Sequence, residues 1–196
     1  MSDQPLNRQD VSKLAAGPSL ENKSVIARKV TDYYNGHTVS PRGMRLAEDI
    51  FRIMVRDVEV KLRQVLAESL KNCHNLPEDI VSSVIRDTDS VAIPFIQYYS
   101  SLNNEDLIKI LNIPSLSKQK AVAQRLNLPS EISQYIVEKC PEEVVGVLIS
   151  NETANIHQQT YDTILEKYQD SEEIKKSLVY RCLLYTSDAA DEARSV

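Results

Sequence analysis

The sequence is poor in glycine and has no tryptophan. Only four glycines occur among 196 residues, and no segment alternates strictly between apolar and polar residues. A strand buried on one face shows that alternation, so a sheet-rich fold is disfavoured. Apolar residues make up 42% and charged residues 26% of the chain, which is ordinary for a folded domain. We therefore expect an all-α protein.

Long apolar runs and clusters of basic residues are also missing. No segment approaches the ~18 apolar residues of a membrane-spanning helix. The N-terminal region lacks the apolar core of a signal peptide. The formal net charge of −5 repels nucleic acid and anionic membranes, and the arginine-rich stretch 42–63 is interrupted by acids, as in a solvated helix face. We expect a cytoplasmic protein that binds no membrane and for which nucleic acid is a disfavoured partner.

Residues suited to a catalytic or metal site are scattered. The cysteines Cys73, Cys140 and Cys182 are odd in number and widely spaced, which indicates reduced thiols. The three histidines do not stand at ligand spacing on a helix, whereas zinc needs about four convergent ligands. There is neither a Gly-x-Ser-x-Gly nucleophile motif nor a glycine-rich phosphate loop. The sequence predicts no metal, no cofactor and no catalytic residue, and hence no enzyme.

Proline followed by acidic residues recurs along the chain and marks helix starts. The pattern occurs at Pro77, Pro129 and Pro141. Proline in the first helical position loses no intrahelical hydrogen bond, and acids in the first turn complement the helix dipole. Ser19 and Ser40 are predicted N-caps of two further helices. The apolar clusters between these starts are short, and helices of that length are stable only when packed on neighbours.

The chain also contains an internal repeat. The pairs Leu76-Pro77 and Leu128-Pro129 lie 52 residues apart, and a valine that opens a further apolar cluster follows each proline, Val91 after 14 residues and Val144 after 15. This self-similarity predicts an α-solenoid of short, stacked, antiparallel helix pairs. We divide the chain into a flexible leader over 1–18, a helical repeat domain over 19–181 and a tail over 182–196.

Several segments of the repeat domain resemble one bacterial family. They lie at 47–60, 66–70, 91–94, 123–129 and 144–156, and the resemblance covers roughly residues 20–181. The family is domain of unknown function 2336. The resemblance implies a HEAT-like helical repeat protein without an assigned activity, and it supplies no catalytic or binding residues.

The tail departs from this family. Family members continue past a segment like 178–181 with another Leu-Pro helix start, whereas this chain continues Cys182-Leu183-Leu184-Tyr185. Residues 182–196 resemble a translated sequencing adapter. A genuine divergent tail is the alternative. We interpret these residues as non-native and exclude them from the fold.

Tyrosine is the dominant aromatic residue and supplies the candidate binding residues, Tyr33, Tyr34, Tyr98 and Tyr99. Tyrosine is enriched at interfaces because its ring is apolar and its tip polar. Alternatively, one ring of each pair packs between helices and the other is partly exposed.

The favoured function is a non-catalytic scaffold that binds a protein partner, as helical repeats commonly do. A role in bacterial regulation follows from fold analogy only. The alternative is a HEAT-like nucleic-acid-binding or DNA-repair protein, against which the acidic charge and the missing tryptophan count.

Helical periodicity predicts which apolar residues form the core. The predicted core residues are Phe51, Leu62, Leu66, Ile80, Val84, Val91, Phe95, Leu107, Leu111, Val122, Ile132, Ile136, Val144, Leu148, Ile164 and Leu165.

Overall fold

The computed structural model describes residues 19–36 and 39–181, and within these ranges the chain is helical without a strand. The all-α prediction is confirmed. The predicted leader over 1–18 and the predicted tail over 182–196 lie outside the described residues. The helices are α1 (Leu20–Tyr34), α2 (Pro41–Met54), α3 (Val60–Leu70), α4 (Glu78–Ile85), α5 (Asp89–Tyr98), α6 (Asn104–Leu111), α7 (Leu116–Ala123), α8 (Ser130–Lys139), α9 (Glu142–Ser150), α10 (Gln158–Lys167) and α11 (172–181).

The helices fall into two compact units, which divide between Ser101 and Leu102. In the first unit α3 packs between α1 and α5, α2 contacts α1 and α3, and α4 contacts α5. In the second unit α8 packs between α6 and α10, and α9 packs against α7 and α8. Both consecutive and next-but-one helices therefore contact each other within each unit.

The helix starts follow local capping chemistry. The Ser19 side chain accepts a hydrogen bond from the Asn22 amide, and the Ser40 side chain accepts one from the Gly43 amide. Both predicted N-caps are confirmed. Asn103 starts α6 with a capping box that it forms with Asp106. These caps satisfy amide groups that have no partner inside a helix.

The 52-residue repeat extends to the backbone conformation. Asn75 and Asn127 have φ angles of 54° and 52°, and each directly precedes one of the two Leu-Pro pairs. Asparagine tolerates this left-handed region better than other residues that carry a side chain, apart from aspartate. Both leucines, Leu76 and Leu128, are then buried. The repeated Asn-Leu-Pro sequence therefore makes the same turn twice.

A side chain at the end of a later helix fixes each of these turns. The Tyr99 hydroxyl oxygen accepts a hydrogen bond from the Leu76 amide at 3.1 Å. The Asn151 side-chain amide donates to the carbonyl oxygens of Ala123 at 2.8 Å and Arg125 at 2.7 Å. Tyr99 and Asn151 are again 52 residues apart. Two chemically different side chains thus perform the same bracing task.

Arg181 braces the loop that follows α9. Its guanidinium donates to the carbonyl oxygens of Ile149 at 3.1 Å and Ala154 at 2.7 Å, and also to that of Asn151. Only 3% of the residue is exposed. A buried guanidinium is stable when acceptors replace its lost water, and these carbonyl groups serve as such acceptors. α11 is thereby fixed to α9.

All predicted core residues except Leu165 are buried. Leu165 is 57% exposed, whereas its neighbour Ile164 is fully buried. Successive side chains on a helix point about 100° apart, so on the narrow buried face of α10 only one of the two can point inward. The prediction for Leu165 is wrong because it treated an adjacent pair as one core position.

An ion pair joins α3 to the loop between α4 and α5. Arg63 donates to both carboxylate oxygens of Asp87, at 2.6 and 3.0 Å, and the two side chains are only 16% and 10% exposed. Burial alone raises the pKa of Asp87, but the hydrogen bonds from Arg63 and from the Thr88 backbone outweigh it and hold this pKa below its ordinary value. The folded state therefore favours the ionised carboxylate.

The Tyr99 brace predicts a difference between two neighbouring tyrosines. Tyr99→Phe leaves the buried Leu76 amide without its acceptor, and we expect the free energy of unfolding to fall by about 1–3 kcal/mol. Tyr98→Phe is the matched control, since Tyr98 is 60% exposed, and it should change stability by less than about 0.5 kcal/mol. Urea denaturation measures both values. Equal effects of the two variants would contradict the role given to the Tyr99 hydroxyl.

Asp87 predicts an acid-sensitive contribution to stability. Because its folded-state pKa lies below the unfolded value near 3.8, the contribution is complete above that value and is lost as the pH falls through the folded-state pKa. We expect Asp87→Asn to lower stability at neutral pH and to flatten its decline in acid. Denaturation of both proteins across the acid range measures this, and Glu166→Gln, which removes one carboxylate from an exposed position, is the control. An unchanged slope in Asp87→Asn would refute the coupling.

Candidate partner-binding surface

An open groove of about 780 Å³ runs along α9 in the second unit. We call it the α9 groove. Lys120 of α7 and its C-cap residue Gln124 form one wall, and Glu173 and Lys176 of α11 form the other. The loop that follows α9 closes one end. The groove is thus built by three helices of one unit.

The sequence of α9 explains why one of its faces is available. Val144, Val145, Leu148 and Ile149 are fully buried, at the spacing of one helix face. Glu143, Gly146, Val147 and Ser150 therefore lie on the opposite side and line the groove. The apolar pattern therefore decides which face of α9 is buried. The opposite face is open to solvent or to a partner.

The walls are held in place at both ends of α11. Near the start of α11 the Ser171 hydroxyl donates to the Glu142 carboxylate, and at the end of α11 Arg181 donates to the Ile149 carbonyl oxygen. α11 therefore runs parallel to α9. On the other side Asn151 ties the end of α9 to the end of α7. The groove is a preorganised feature of the unit.

Gly146 lies on the floor of the groove. A Cβ atom at this position would meet only the Ile174 Cδ1 atom, at an ordinary contact distance of 3.9 Å. At Gly43, in contrast, an added Cβ atom would overlap the Tyr33 ring. The fold therefore gives a packing reason for Gly43 but none for Gly146.

Carboxylates dominate the charged lining of the groove. Four glutamates, Glu142, Glu143, Glu152 and Glu173, face two lysines, Lys120 and Lys176. Glu143, Glu152 and Glu173 form no ion pair with another described residue. The groove consequently combines an apolar floor with negatively charged rims.

Helix dipoles account for only some of these acids. Glu142 and Glu143 lie in the first turn of α9, and Glu173 lies at the start of α11, where a negative charge is favourable. Glu152 lies two residues past the end of α9, beside the negative end of its dipole. An acid at that place is unfavourable for the helix. Helix stability therefore does not explain why an acid occupies position 152.

Two of the four predicted binding tyrosines are buried inside the first unit. The Tyr34 ring packs edge-on against Phe51 with ring centroids 5.5 Å apart, and its hydroxyl donates to the Asn75 carbonyl oxygen. Burial raises the pKa of Tyr34 to about 12. The Tyr99 ring stacks on Phe95 at 4.6 Å. In the folded unit both rings are engaged in packing.

The other two tyrosines present more of their surface. Tyr33 is half-buried and lies over Gly43. Tyr98 is 60% exposed, and the Lys71 ammonium lies 4.9 Å from its ring centroid. All four tyrosines belong to the first unit, so none lines the α9 groove. Their role in partner binding stays a prediction, for which Tyr98 offers the broadest accessible face.

Cys73 and Cys140, the two cysteines among the described residues, are buried. Burial raises the pKa of Cys73 to about 12 and also raises that of Cys140. Both therefore stay protonated near neutral pH, where the nucleophilic species would be the thiolate. Among residues 19–36 and 39–181 no three potential ligands from His, Cys, Asp and Glu gather around a common point. No helix in that part of the chain has the length and apolar character needed to cross a membrane.

Sequence reasoning did not find the α9 groove. In the sequence, Glu142 and Glu143 follow Pro141 and fit the pattern of acids that complement a helix dipole. A usable signal was present, since Gly146 interrupts the strong apolar run of α9 without any turn requirement. The two walls come from α7 and α11, and only the folded unit shows their positions.

Short, mutually packed helices that carry an open groove define an all-helical protein with an accessible surface groove. A family model described as uncharacterised protein conserved in bacteria, DUF2336, matches residues 91–190. The chain belongs to this family, as its resemblance predicted. No curated protein and no solved structure matches it. The matched range includes the whole α9 groove and ends inside 182–196, whose foreign origin stays a prediction.

Gly146 predicts a substitution that stabilises the protein. Gly146→Ala adds a methyl group at an ordinary contact distance and removes the entropic cost of glycine inside a helix. We expect the free energy of unfolding to rise by about 0.5–1 kcal/mol. Gly43→Ala is the comparison, because the displaced Tyr33 ring should prevent a similar gain. Chemical denaturation measures both, and a loss of stability in Gly146→Ala would mean that the floor is closely packed.

Proposed function

We propose that the chain is a HEAT-like α-solenoid that binds a protein partner through the surface formed by α7, α9 and α11. The packing of consecutive and next-but-one helices supports this architecture, because stacked helix pairs make contacts of that kind. In this proposal the protein acts as a non-catalytic scaffold in the cytoplasm. The family description supports a role in bacterial cells, and bacterial regulation is the setting that we propose.

The α9 groove is the observation that carries the proposal. It is open along its length, so it suits an extended segment of another chain better than an enclosed small molecule. Its floor offers apolar contact and its rims offer charge, a combination that is typical of protein recognition surfaces. Preorganised walls lower the entropic cost of binding.

Nucleic acid is the alternative partner. A phosphate backbone is bound by lysine and arginine, and each contact contributes to salt dependence. In the α9 groove carboxylates outnumber lysines, which opposes such binding. The exposed arginines Arg42 and Arg45 of α2, with Arg56 in the turn that follows it, are the residues that this alternative would need.

Partner capture tests the proposed function. The tagged full chain is incubated with a bacterial cell extract, and recovered proteins are identified by mass spectrometry and remade in pure form. We expect one purified protein to bind after nuclease treatment and to slow amide hydrogen exchange in α9 and α11. Slowed exchange around Tyr98 in α5 would instead support the tyrosine prediction.

A nucleic-acid result would contradict the proposal. Tight, salt-sensitive DNA binding without any recovered protein would favour the alternative. Replacing Arg42, Arg45 and Arg56 by alanine should then abolish that binding. If these variants still bind DNA, α2 is not the surface used.

A further inference from the structure

We infer that the α9 groove receives a basic segment of the partner protein, with the aliphatic stem of a lysine or arginine lying over Gly146. This inference deepens the proposed function and depends on it. The cationic groups of that segment would pair with Glu143 and Glu173 near one end of the groove and with Glu152 near the other. The negative charge of the rims favours a basic segment, and the space over Gly146 accommodates one of its side chains.

The first argument is the missing side chain at Gly146. The residue lies inside α9, where alanine would favour the helix, and the added Cβ atom would have only one neighbour, at 3.9 Å. Neither a turn nor close packing requires glycine at this position. What glycine does provide is depth in the groove floor, which is useful only if another chain occupies it.

The second argument is the charge of Glu152. This residue lies past the end of α9, where the helix dipole disfavours an acid. It forms no ion pair with another described residue. Like Gly146, Glu152 works against the helix and lines the groove. Gly146 and Glu152, which are both unfavourable for the stability of α9, therefore line the same groove.

Lysine and arginine fit both features. Their long aliphatic stems cover apolar surface while their charged ends remain at the rim in water. Val147 beside Gly146 continues the apolar floor. Lys120 and Lys176 offset part of the negative charge, but the carboxylates still outnumber them by four to two. An acidic segment would meet this excess and be repelled.

The experiment uses the full chain and two labelled peptides. One peptide alternates lysine with leucine, as suits an extended segment, and the other has glutamate in place of every lysine. We expect the lysine peptide to bind and the glutamate peptide to bind far more weakly, as measured by fluorescence anisotropy. Equal binding of the two peptides would overturn the inference.

Matched variants separate the groove from the general charge of the protein. The triple variant Glu143→Gln, Glu152→Gln, Glu173→Gln should weaken binding of the lysine peptide by about tenfold, since three exposed pairs are lost. The control triple Glu131→Gln, Glu138→Gln, Glu166→Gln changes the charge equally on exposed positions of α8 and α10. It should leave binding nearly unchanged. Equal losses in both triples would show non-specific attraction and overturn the inference.

The floor is tested without any change of charge. Gly146→Leu fills the trough and should also weaken binding of the lysine peptide by about tenfold, since burial of the stem is lost. Gly146→Ala is the milder variant should leucine disturb the fold, and it should weaken binding while raising the melting temperature. Unchanged binding in a folded Gly146 variant would overturn the inference.

Failure of the inference differs from failure of the proposed function. A purified partner that binds with protection of α9 but through an acidic segment would overturn the inference and leave the proposed function intact. A capture experiment that recovers no partner protein would contradict the proposed function itself. The peptide measurements are independent of that capture.

Discussion

Within each unit, hydrogen bonds from a helix end to an earlier loop set how the packed helices lie against one another. Short helices leave many backbone groups without a partner at their ends. Tyr99, Asn151 and Arg181 each reach back from a helix end to a preceding loop. Because each brace links elements two helices apart, it fixes the spacing of a layer as well as satisfying polar atoms.

This bracing lets the second unit present a defined surface. α9 lies between α7 and α11 because Asn151 binds the end of α7 and Arg181 binds the end of α9. The position of both groove walls therefore depends on two side chains that do not line the floor. The outward residues of α9 are consequently under less structural constraint, and glycine and glutamate are tolerated where helix stability alone would disfavour them.

The sequence predicted the all-helical class, two N-caps and most of the core because these signals are local. Caps at Ser19 and Ser40 and the apolar period of the core depend on neighbours a few residues away, and the structure confirms them. Leu165 was assigned to the wrong side because the apolar pair it forms with Ile164 does not reveal which residue faces inward. The α9 groove depends on α7 and α11 meeting α9, which no local pattern encodes. The buried positions of Tyr34 and Tyr99 likewise follow from tertiary contacts with Asn75 and Leu76.

The buried guanidinium of Arg181 makes this residue a reporter of local motion. Trypsin recognises an arginine side chain in its own specificity pocket, and a side chain that is only 3% exposed cannot enter that pocket. Cleavage after Arg181 therefore requires this end of α11 to release the Arg181 side chain first, and its rate follows the population of that opened form when opening and closing are fast. Protease sensitivity at Arg181 thus measures how often the Arg181 brace opens.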